Sequence, residues 1–185
     1  VPIELPQGFA AVTPSLSLNY TSGGGGSVVG MGWSFATPSV ERMTYRGLPE
    51  YTLGDDFCAD GSDQLVLIPN PNPPVYRRRF EQGFVRYTWR SAGEGAEGYW
   101  VAEYTDGSVG YFGARADGTL VPEARMGTEE LGTFRYMLVE KVDVYGHKMT
   151  MDYTVFGRNT DNPNDRPGVP LLTGIQYGFV ANPDA

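Results

Sequence analysis

The chain has 185 residues, 41% of them hydrophobic, and a formal net charge of −8 at pH 7. This length suits one domain with a sizeable core, and the negative charge argues against nucleic acid and anionic membrane surfaces as partners. The single cysteine cannot form an internal disulfide. No apolar run approaches the ~20 residues of a transmembrane helix, so we expect no direct membrane insertion.

Short strands joined by turns are the predicted architecture. Glycine and proline contribute 25 and 14 residues, and aromatic residues make up 13% of the chain, which is typical of strands and turns rather than long helices. The first predicted strand covers residues 15–20, where Leu16, Leu18 and Tyr20 share one face and polar residues share the other. This alternation predicts a strand with one buried side.

A glycine-rich stretch follows this strand. Residues 23–26 are four consecutive glycines, which predict a flexible β-turn, because the Gly-Lys-Ser/Thr ending of a phosphate-binding loop is missing. Gly30 and Gly32 then precede Trp33. Glycine at every second position lets another backbone segment or a large ring approach closely, and we expect such a ring to be Trp33.

The region from 35 to 63 is predicted to be irregular, and it contains an acidic cluster. The cluster consists of Asp55, Asp56, Asp60 and Asp63 around an Asp-Gly turn signal. EF-hand spacing with a closing glutamate is absent, so we favour a solvated turn. Calcium binding at residues 55–63 stays open as the alternative.

A short strand and then a series of antiparallel hairpins are predicted for the rest of the chain. Predicted strands cover residues 65–68, 84–89, 99–104, 108–112, 134–144, 148–156 and 171–177, with a polar loop at 157–170. Asp106 and Gly107 predict a type I′ turn, and Asp143 and Gly146 belong to a second hairpin turn. No segment has a helical period with caps. The predicted fold class is therefore mainly β, with antiparallel hairpin and meander sheets, little or no helix, and a single module over residues 1–185.

Catalytic and metal-binding groups are scarce in the sequence. His147 is the one histidine and lies at a predicted hairpin turn, where we expect it to face solvent. Cys58 is the one cysteine and is expected to be a small buried hydrophobic residue. A zinc site needs four nitrogen or sulfur ligands, more than these two residues supply. We therefore predict no catalytic residue, no metal site, no cofactor and no enzymatic activity.

Residues 14–34 resemble a family signature. In order, the matching positions are Pro14, Leu16, Leu18, Tyr20, Ser22, Gly23, Gly24, Gly25, Gly30, Gly32, Trp33 and Ser34. This spacing is similar to that of the SpvB N-terminal domain family, roughly P-x-L-x-L-x-Y-x-S-G-G-G-N-G-x-x-G-x-G-W-S. The resemblance continues to residues 175–178 and so covers nearly the whole chain. It departs from the family at Gly26-Ser27 and at His147, where Asn-Gly and Asn are usual.

The resemblance implies a function as well as a fold. Family members include N-terminal regions of bacterial virulence proteins and of insecticidal toxin complexes. They imply a non-catalytic structural or delivery module of a secreted toxin-like protein, part of a larger β-sheet shell that encloses or presents a C-terminal effector. The implied partners are the rest of the same toxin polypeptide and other toxin-complex subunits. The Ser-Thr-Ser and Glu-x-Glu motifs of the transferase part of some members do not occur in this chain.

Other interpretations remain open from the sequence. The main alternative is a targeting or binding module that recognises a protein or glycan partner for an attached enzymatic toxin. Aromatic residues such as Tyr45, Tyr51 and Trp89 would serve either sugar stacking or ordinary packing, and packing is favoured. A stand-alone enzyme is disfavoured. Since the chain begins at Val1 rather than at methionine, we expect a processed or excised piece of a longer protein. Such a piece is predicted to have an unpaired sheet edge or an exposed apolar face.

Overall fold

The computed structural model describes residues 1–23, 25–27, 29–69, 72–93, 97–128, 130–157 and 168–180. Within these ranges the chain forms strands and two short 3₁₀ turns, Ala10–Val12 and Pro122–Ala124, and no α-helix. The mainly β prediction is confirmed. No helix in the described ranges is long and apolar enough to cross a membrane. The strands are β1 (Pro2–Ile3), β2 (Leu16–Tyr20), β3 (Gly26–Ser27), β4 (Gly30–Met31), β5 (Trp33–Phe35), β6 (Ser39–Arg42), β7 (Phe57–Ala59), β8 (Asp63–Leu67), β9 (Val75–Arg78), β10 (Arg86–Arg90), β11 (Tyr99–Glu103), β12 (Val109–Phe112), β13 (Arg125–Thr128), β14 (Gly132–Val142), β15 (His147–Phe156) and β16 (Val169–Val180).

Strand bounds differ from the sequence prediction by one to three residues in β8, β10, β14 and β16, and two predicted regions also need correction. The region 35–63 is not irregular, because it contains β6 and β7. The predicted polar loop at 157–170 is too long at its end, since β16 already begins at Val169. Residues 158–167 of that loop lie outside the described residues.

Eight strands form a closed antiparallel barrel. Strands β6 to β12 are neighbours in sequence order, and β14 pairs with both β6 and β12, which closes the sheet. The length of β14, eleven residues, makes this possible. Its residues 135–137 pair with β6, and residues 138–142 pair with β12. Closure leaves the barrel without a free edge of the kind that open sheets present.

Aromatic rings fill the barrel interior. Trp100 is fully buried and makes edge-to-face contacts with Phe57, Tyr76 and Trp89, at centroid distances of 4.9, 5.0 and 5.3 Å. Trp89 also contacts the buried ring of Tyr136 at 5.7 Å. An eight-stranded barrel is just wide enough for side chains to fill, so these rings form the core. Trp89 is therefore a packed residue, as the favoured packing explanation predicted, and not an exposed aromatic available for binding.

The other strands extend the sheet or stand apart from it. β15 pairs with the second half of β14, β16 pairs with β15, and β13 pairs with the first half of β14. β1, β2 and β5 form a separate three-stranded unit, here called the small sheet, and β3 and β4 form a two-stranded hairpin. The small sheet and β16 become the two walls of the groove described below.

The N-terminal segment is fastened across the β15–β16 hairpin by side-chain contacts. The Tyr177 hydroxyl donates a hydrogen bond to the Pro6 carbonyl at 2.8 Å. The Phe9 ring stacks on the His147 ring at 3.4 Å between centroids. Val12, in the following 3₁₀ turn, is fully buried in the core. These contacts hold the small sheet beside the barrel.

Three hairpin turns, at residues 104–108, 115–119 and 143–147, share one geometry. In each, the first residue donates its N–H to the fifth carbonyl, and the glycine at the fourth position donates to the first carbonyl. Positive φ occurs only at that glycine (Gly107, Gly118 or Gly146), which defines a type I turn followed by a glycine bulge. The predicted type I′ turn at Asp106-Gly107 is therefore wrong. Positive φ at two successive residues occurs instead at Asp60-Gly61 and at Gly83-Phe84.

Candidate interaction groove

The apolar residues of the signature segment line a groove. Pro14, Leu16 and Leu18 lie on its floor and one wall, together with Ile3 and Phe35 of the small sheet. The register explains this arrangement, because β2 pairs with β1 on one side and with β5 on the other, so that Leu18 lies opposite Phe35. The predicted strand is confirmed. Its apolar face borders an open groove rather than a closed core.

The opposite wall of the groove comes from the end of the chain. It includes Leu171, Leu172 and Ile175 of β16, with Met137 and Phe156 beside them. The groove has a volume of about 1140 Å³. Most of these side chains are only half-buried, and the Phe156 side chain is 67% exposed. An exposed apolar surface of this kind is typical of interaction sites.

Among the described residues that line this groove, Arg135 is the one with a charged side chain. Its guanidinium forms a short ion pair with the buried carboxylate of Glu41. Glu41 in turn accepts a weak hydrogen bond from the Cys58 thiol, with 3.8 Å between the sulfur and oxygen atoms. The charge of Arg135 is therefore neutralised within the protein, and the groove is suited to apolar rather than charged groups.

The signature glycines shape the loop above this groove. Gly32 has φ of +76°, and a Cβ atom there would lie 2.8 Å from Tyr20 Cε2 and 2.9 Å from the Thr21 carbonyl oxygen. Backbone hydrogen bonds from Gly32 to Gly25 (3.1 Å) and from Thr21 to Gly32 (2.8 Å) close the loop. At Gly32 the closest ring is therefore Tyr20 and not Trp33, whereas the expected approach of the Trp33 ring occurs at Gly30, 3.8 Å from a Cβ atom there.

The remaining signature residues form the exposed rim of the same loop. Trp33 contacts the Tyr20 ring at 5.2 Å between centroids and lies nearest to Gly30. Ser22, Gly23 and Ser34 are exposed, and Tyr20 is 61% exposed rather than buried as its strand pattern predicted. Gly24 lies outside the described residues.

The two predicted turn pairs lie side by side at one end of the barrel. A Cβ atom on Gly107 would lie 2.5 Å from the Val144 side chain, in the turn that contains Asp143 and Gly146. The Asp106 carboxylate accepts hydrogen bonds from the N–H (2.9 Å) and hydroxyl (2.6 Å) of Ser108. These contacts stabilise the turns, and no ligand-binding arrangement results from them.

His147 and Cys58 have structural surroundings. The His147 ring lies 2.6 Å from the Asp143 carboxylate and is stacked under Phe9, so it does not face solvent as expected. Cys58 is buried, as predicted. Burial, together with the neighbouring Glu41 carboxylate, raises the pKa of the Cys58 thiol to about 12. A thiol with such a pKa is protonated at neutral pH and is a poor nucleophile.

Each carboxylate of the acidic cluster contacts an arginine. Asp55 pairs with Arg42 at 2.5 Å, Asp56 with Arg46 at 3.1 Å, and both Asp60 and Asp63 with Arg78 at 3.2 and 3.0 Å. Among the described residues, no three His, Cys, Asp or Glu side chains converge as a metal-binding group. The cluster functions as a set of ion pairs between neighbouring loops and strands.

Sequence reasoning missed a buried polar network beside the barrel core. Arg125 donates to Glu97 (2.8 Å) and to the carbonyls of Gly113 and Gly98, and burial lowers the pKa of its guanidinium. Glu97 also accepts bonds from the N–H and hydroxyl of Thr133, at 2.6 and 2.7 Å. Glu97 lies in a glycine-rich stretch without a strand pattern. Nothing in the sequence therefore indicated that its carboxylate would bind Arg125 and Thr133.

A second buried cation lies close to this network. Arg42 donates to the carbonyl of Thr133 at 3.0 Å and to that of Thr52 at 2.6 Å. Its guanidinium lies over the rings of Tyr51 and Phe57. Tyr51 is half-buried by this contact, so it is not an exposed aromatic, whereas Tyr45 is exposed.

Comparison with known proteins assigns the family. A family model described as "Salmonella virulence plasmid 65kDa B protein" (SpvB) matches residues 1–166. The chain belongs to the SpvB family. It is 28% identical over 208 residues to the mono(ADP-ribosyl)transferase SpvB of Salmonella typhimurium strain 14028s, and the match covers 96% of this chain and 34% of that protein. The same values hold for SpvB of Salmonella choleraesuis. The chain thus spans about a third of the length of these SpvB relatives.

Solved structures show the same fold. The N-terminal domain of the effector protein SpvB from Salmonella typhimurium LT2 matches with a TM-score of 0.80 and 24% identity, over 98% of this chain and 65% of that one. The TcdB2-TccC3 crystal structure matches with a TM-score of 0.74 and 22% identity, over 95% and 9% of the two chains. The Photorhabdus luminescens Tc holotoxin pore gives 0.67 and 25%, over 79% and 7%. The resemblance to the SpvB family is confirmed, and the toxin-complex chains share its fold.

Proposed function

We propose that this chain is a non-catalytic structural and delivery module of a secreted toxin-like protein. In that protein it contributes to a β-sheet shell that encloses or presents a C-terminal effector. Its partners are then the rest of its own polypeptide and other toxin-complex subunits, and residues 1–185 act as one module. The SpvB relatives are named for a transferase activity, and under this proposal that activity belongs to a part of the protein outside this chain.

One observation carries the proposal. Nearly the whole of this fold recurs as 65% of one solved chain and as only 9% of another. A fold found inside chains of such different size is a portable module, to which different functions are attached. The packed barrel supports the same conclusion, because its interior is filled by aromatic rings and its buried charges are paired with one another.

The test compares effector protection with effector turnover in the longer protein. We expect deletion of residues 1–185 to make the downstream effector at least about tenfold more sensitive to added protease, because an enclosed polypeptide is cleaved only when its enclosure opens. The turnover of the effector on its own substrate should stay unchanged. A variant in the exposed turn, Thr105→Ala, is the control and should change neither quantity. Loss of turnover with unchanged protease sensitivity would show that this chain belongs to the catalytic unit instead.

A second candidate function has its own observation. The loop between β9 and β10 exposes Phe80 and Phe84, at 79% and 72%, and Phe84 has a φ of +49°, which is rare for a bulky side chain. Backbone strain of this kind often occurs where a surface is held ready for a partner. A targeting module would lose binding to its protein or glycan partner in the variant Phe80→Ser/Phe84→Ser. Unaltered binding of that variant to the protein or glycan partner would contradict the function as a targeting module.

A further inference from the structure

β16 has one edge without a strand partner in the described part of the chain. Its other edge pairs with β15 along its whole length, and the order of the large sheet ends at β16. β16 is twelve residues long. Its register with β15 shifts at Thr173 and at Gly178, and Pro170 has no N–H to donate, so the open edge is long but bent rather than flat. Such an edge presents a row of backbone donors and acceptors that an incoming strand can pair with.

This open edge lies along the apolar groove. Residues 169–175 of β16 all line the groove, and Leu16, Leu18 and Phe35 face them from the small sheet. A strand added to β16 would therefore run along the groove, where every second side chain would lie between two apolar walls. A segment of five or six residues spans ~17–20 Å and would fill this length. A small apolar molecule would fill the groove but would leave the backbone groups of β16 unpaired.

We propose that the groove binds an extended segment with alternating apolar side chains, and that this segment comes from the part of the same polypeptide outside residues 1–185. The segment adds a strand to the open edge of β16. This inference rests on the proposed function, since it requires that the chain is a module of a longer protein. It assigns the apolar residues of the signature segment the role of receiving that strand.

The lengths of the related chains support a source within the same polypeptide. The solved N-terminal domain of SpvB contains the matched region in only 65% of its chain, so about a third of that domain is additional polypeptide. A segment on the same chain also binds without the loss of translational freedom that a separate partner incurs. The groove offers no unpaired charge among its lining residues, because Arg135 is paired with Glu41, which favours an apolar segment over a charged one.

Thiol labelling measures whether the groove is occupied. Cys58 is buried with a raised pKa, so it does not react with maleimide in the folded protein. A single cysteine is then introduced at Thr173 or at Ser34, which are exposed and lie on opposite walls of the groove. The labelling rate measured is that of the introduced cysteine, because Cys58 does not react. Thr105→Cys, in an exposed turn, is the matched control.

We expect both groove cysteines to react rapidly in the 185-residue chain and at least about tenfold more slowly in the longer protein, since labelling then requires local opening. Thr105→Cys should react equally in both. Equal rates for the groove cysteines in the two proteins would overturn the proposal. Slow labelling that depends on the concentration of the 185-residue chain would also overturn it, because a second copy would then be the occupant.

Amide hydrogen exchange tests whether the occupant is a strand. The β16 amides that point away from β15 should exchange slowly in the longer protein and rapidly in the 185-residue chain. Slow labelling without this added protection would mean that side chains or a lipid cover the groove, which contradicts strand addition. Adding Leu18→Glu to the Thr173→Cys reporter should restore rapid labelling in the longer protein, whereas Ser15→Glu should not.

The labelling and exchange experiments can fail independently of the protease test. If the groove is empty and the effector is protected from protease, the docked strand is contradicted and the function as a structural module is retained. If the groove is occupied and the effector is not protected, the shell function is contradicted and the docking of a strand is retained.

Discussion

The barrel and the groove differ in how completely they bury apolar side chains. In the barrel, Trp100 and Phe57 are fully buried, and closure through β14 pairs both outer strands. In the groove, Leu16 and Leu18 are half-buried, and β16 has an unpaired edge in the described part of the structure. Different regions therefore stabilise the fold and bind partners. The barrel supplies the rigid framework, and the groove keeps apolar surface accessible.

Truncation of the central tryptophan should have the largest effect. Trp100→Ala removes a fully buried ring that contacts three other rings, and we expect a loss of about 3–5 kcal/mol in the free energy of unfolding. Leu18→Ala in the groove should cost less than about 1 kcal/mol in the 185-residue chain, because its side chain is already in contact with water. Urea unfolding followed by circular dichroism measures both values. Similar losses in the two variants would contradict the division between barrel and groove.

Removal of a buried charge should have the next largest effect. The Arg42 and Asp55 side chains are 4% and 9% exposed. Arg42→Leu leaves the Asp55 carboxylate buried without its partner, which should lower the free energy of unfolding by about 3 kcal/mol. Arg86→Leu is the matched control, since Arg86 and Glu103 form a two-bond ion pair at the surface and should lose about 0.5 kcal/mol or less. Recovery of stability in the double variant Arg42→Leu/Asp55→Asn would confirm that the unpaired carboxylate is the cause.

Substitution in the signature loop should have an intermediate effect. Gly32→Ala combines positive φ with contacts below 3 Å to Tyr20 and Thr21, and we expect a local cost of about 1–3 kcal/mol. Gly25→Ala is the control, because a Cβ atom there meets no atom within 4 Å. Amide exchange in β2 and β5 should accelerate in Gly32→Ala and stay unchanged in Gly25→Ala. Equal acceleration in both would mean that the loop, rather than the Tyr20 contact, controls the small sheet.

Local patterns predicted the hairpins well and the closure of the fold poorly. Strands such as β11 and β15 alternate or follow clear turn signals, so their positions were predicted within two residues. β6 was missed because Glu41 and Arg42 are buried by ion pairs, which hides the apolar alternation that a strand normally has. Barrel closure and the groove both depend on contacts between distant segments. Leu18 and Leu172 line the same groove although they are distant in the sequence, and no local pattern encodes such an arrangement.

The smallest predicted effect lies at the rim of the barrel and depends on pH. Hydrogen bonds from the hydroxyl and N–H of Ser108 hold the pKa of the Asp106 carboxyl below its ordinary value of 3.8. A lowered folded-state pKa stabilises the fold above the unfolded-state value, and this stabilisation is lost as the pH falls through the folded-state pKa. Asp106→Asn should therefore be less stable than the parent by about 0.5 kcal/mol at pH 7, since the side chain is exposed. The difference should shrink below pH 3.8.

The control for the change in net charge is Glu4→Gln, at an exposed position in the N-terminal segment. If the stability difference between Asp106→Asn and the parent stays constant from pH 7 to below pH 3.8, the turn depends on the shape of the side chain rather than on the charge of the carboxylate.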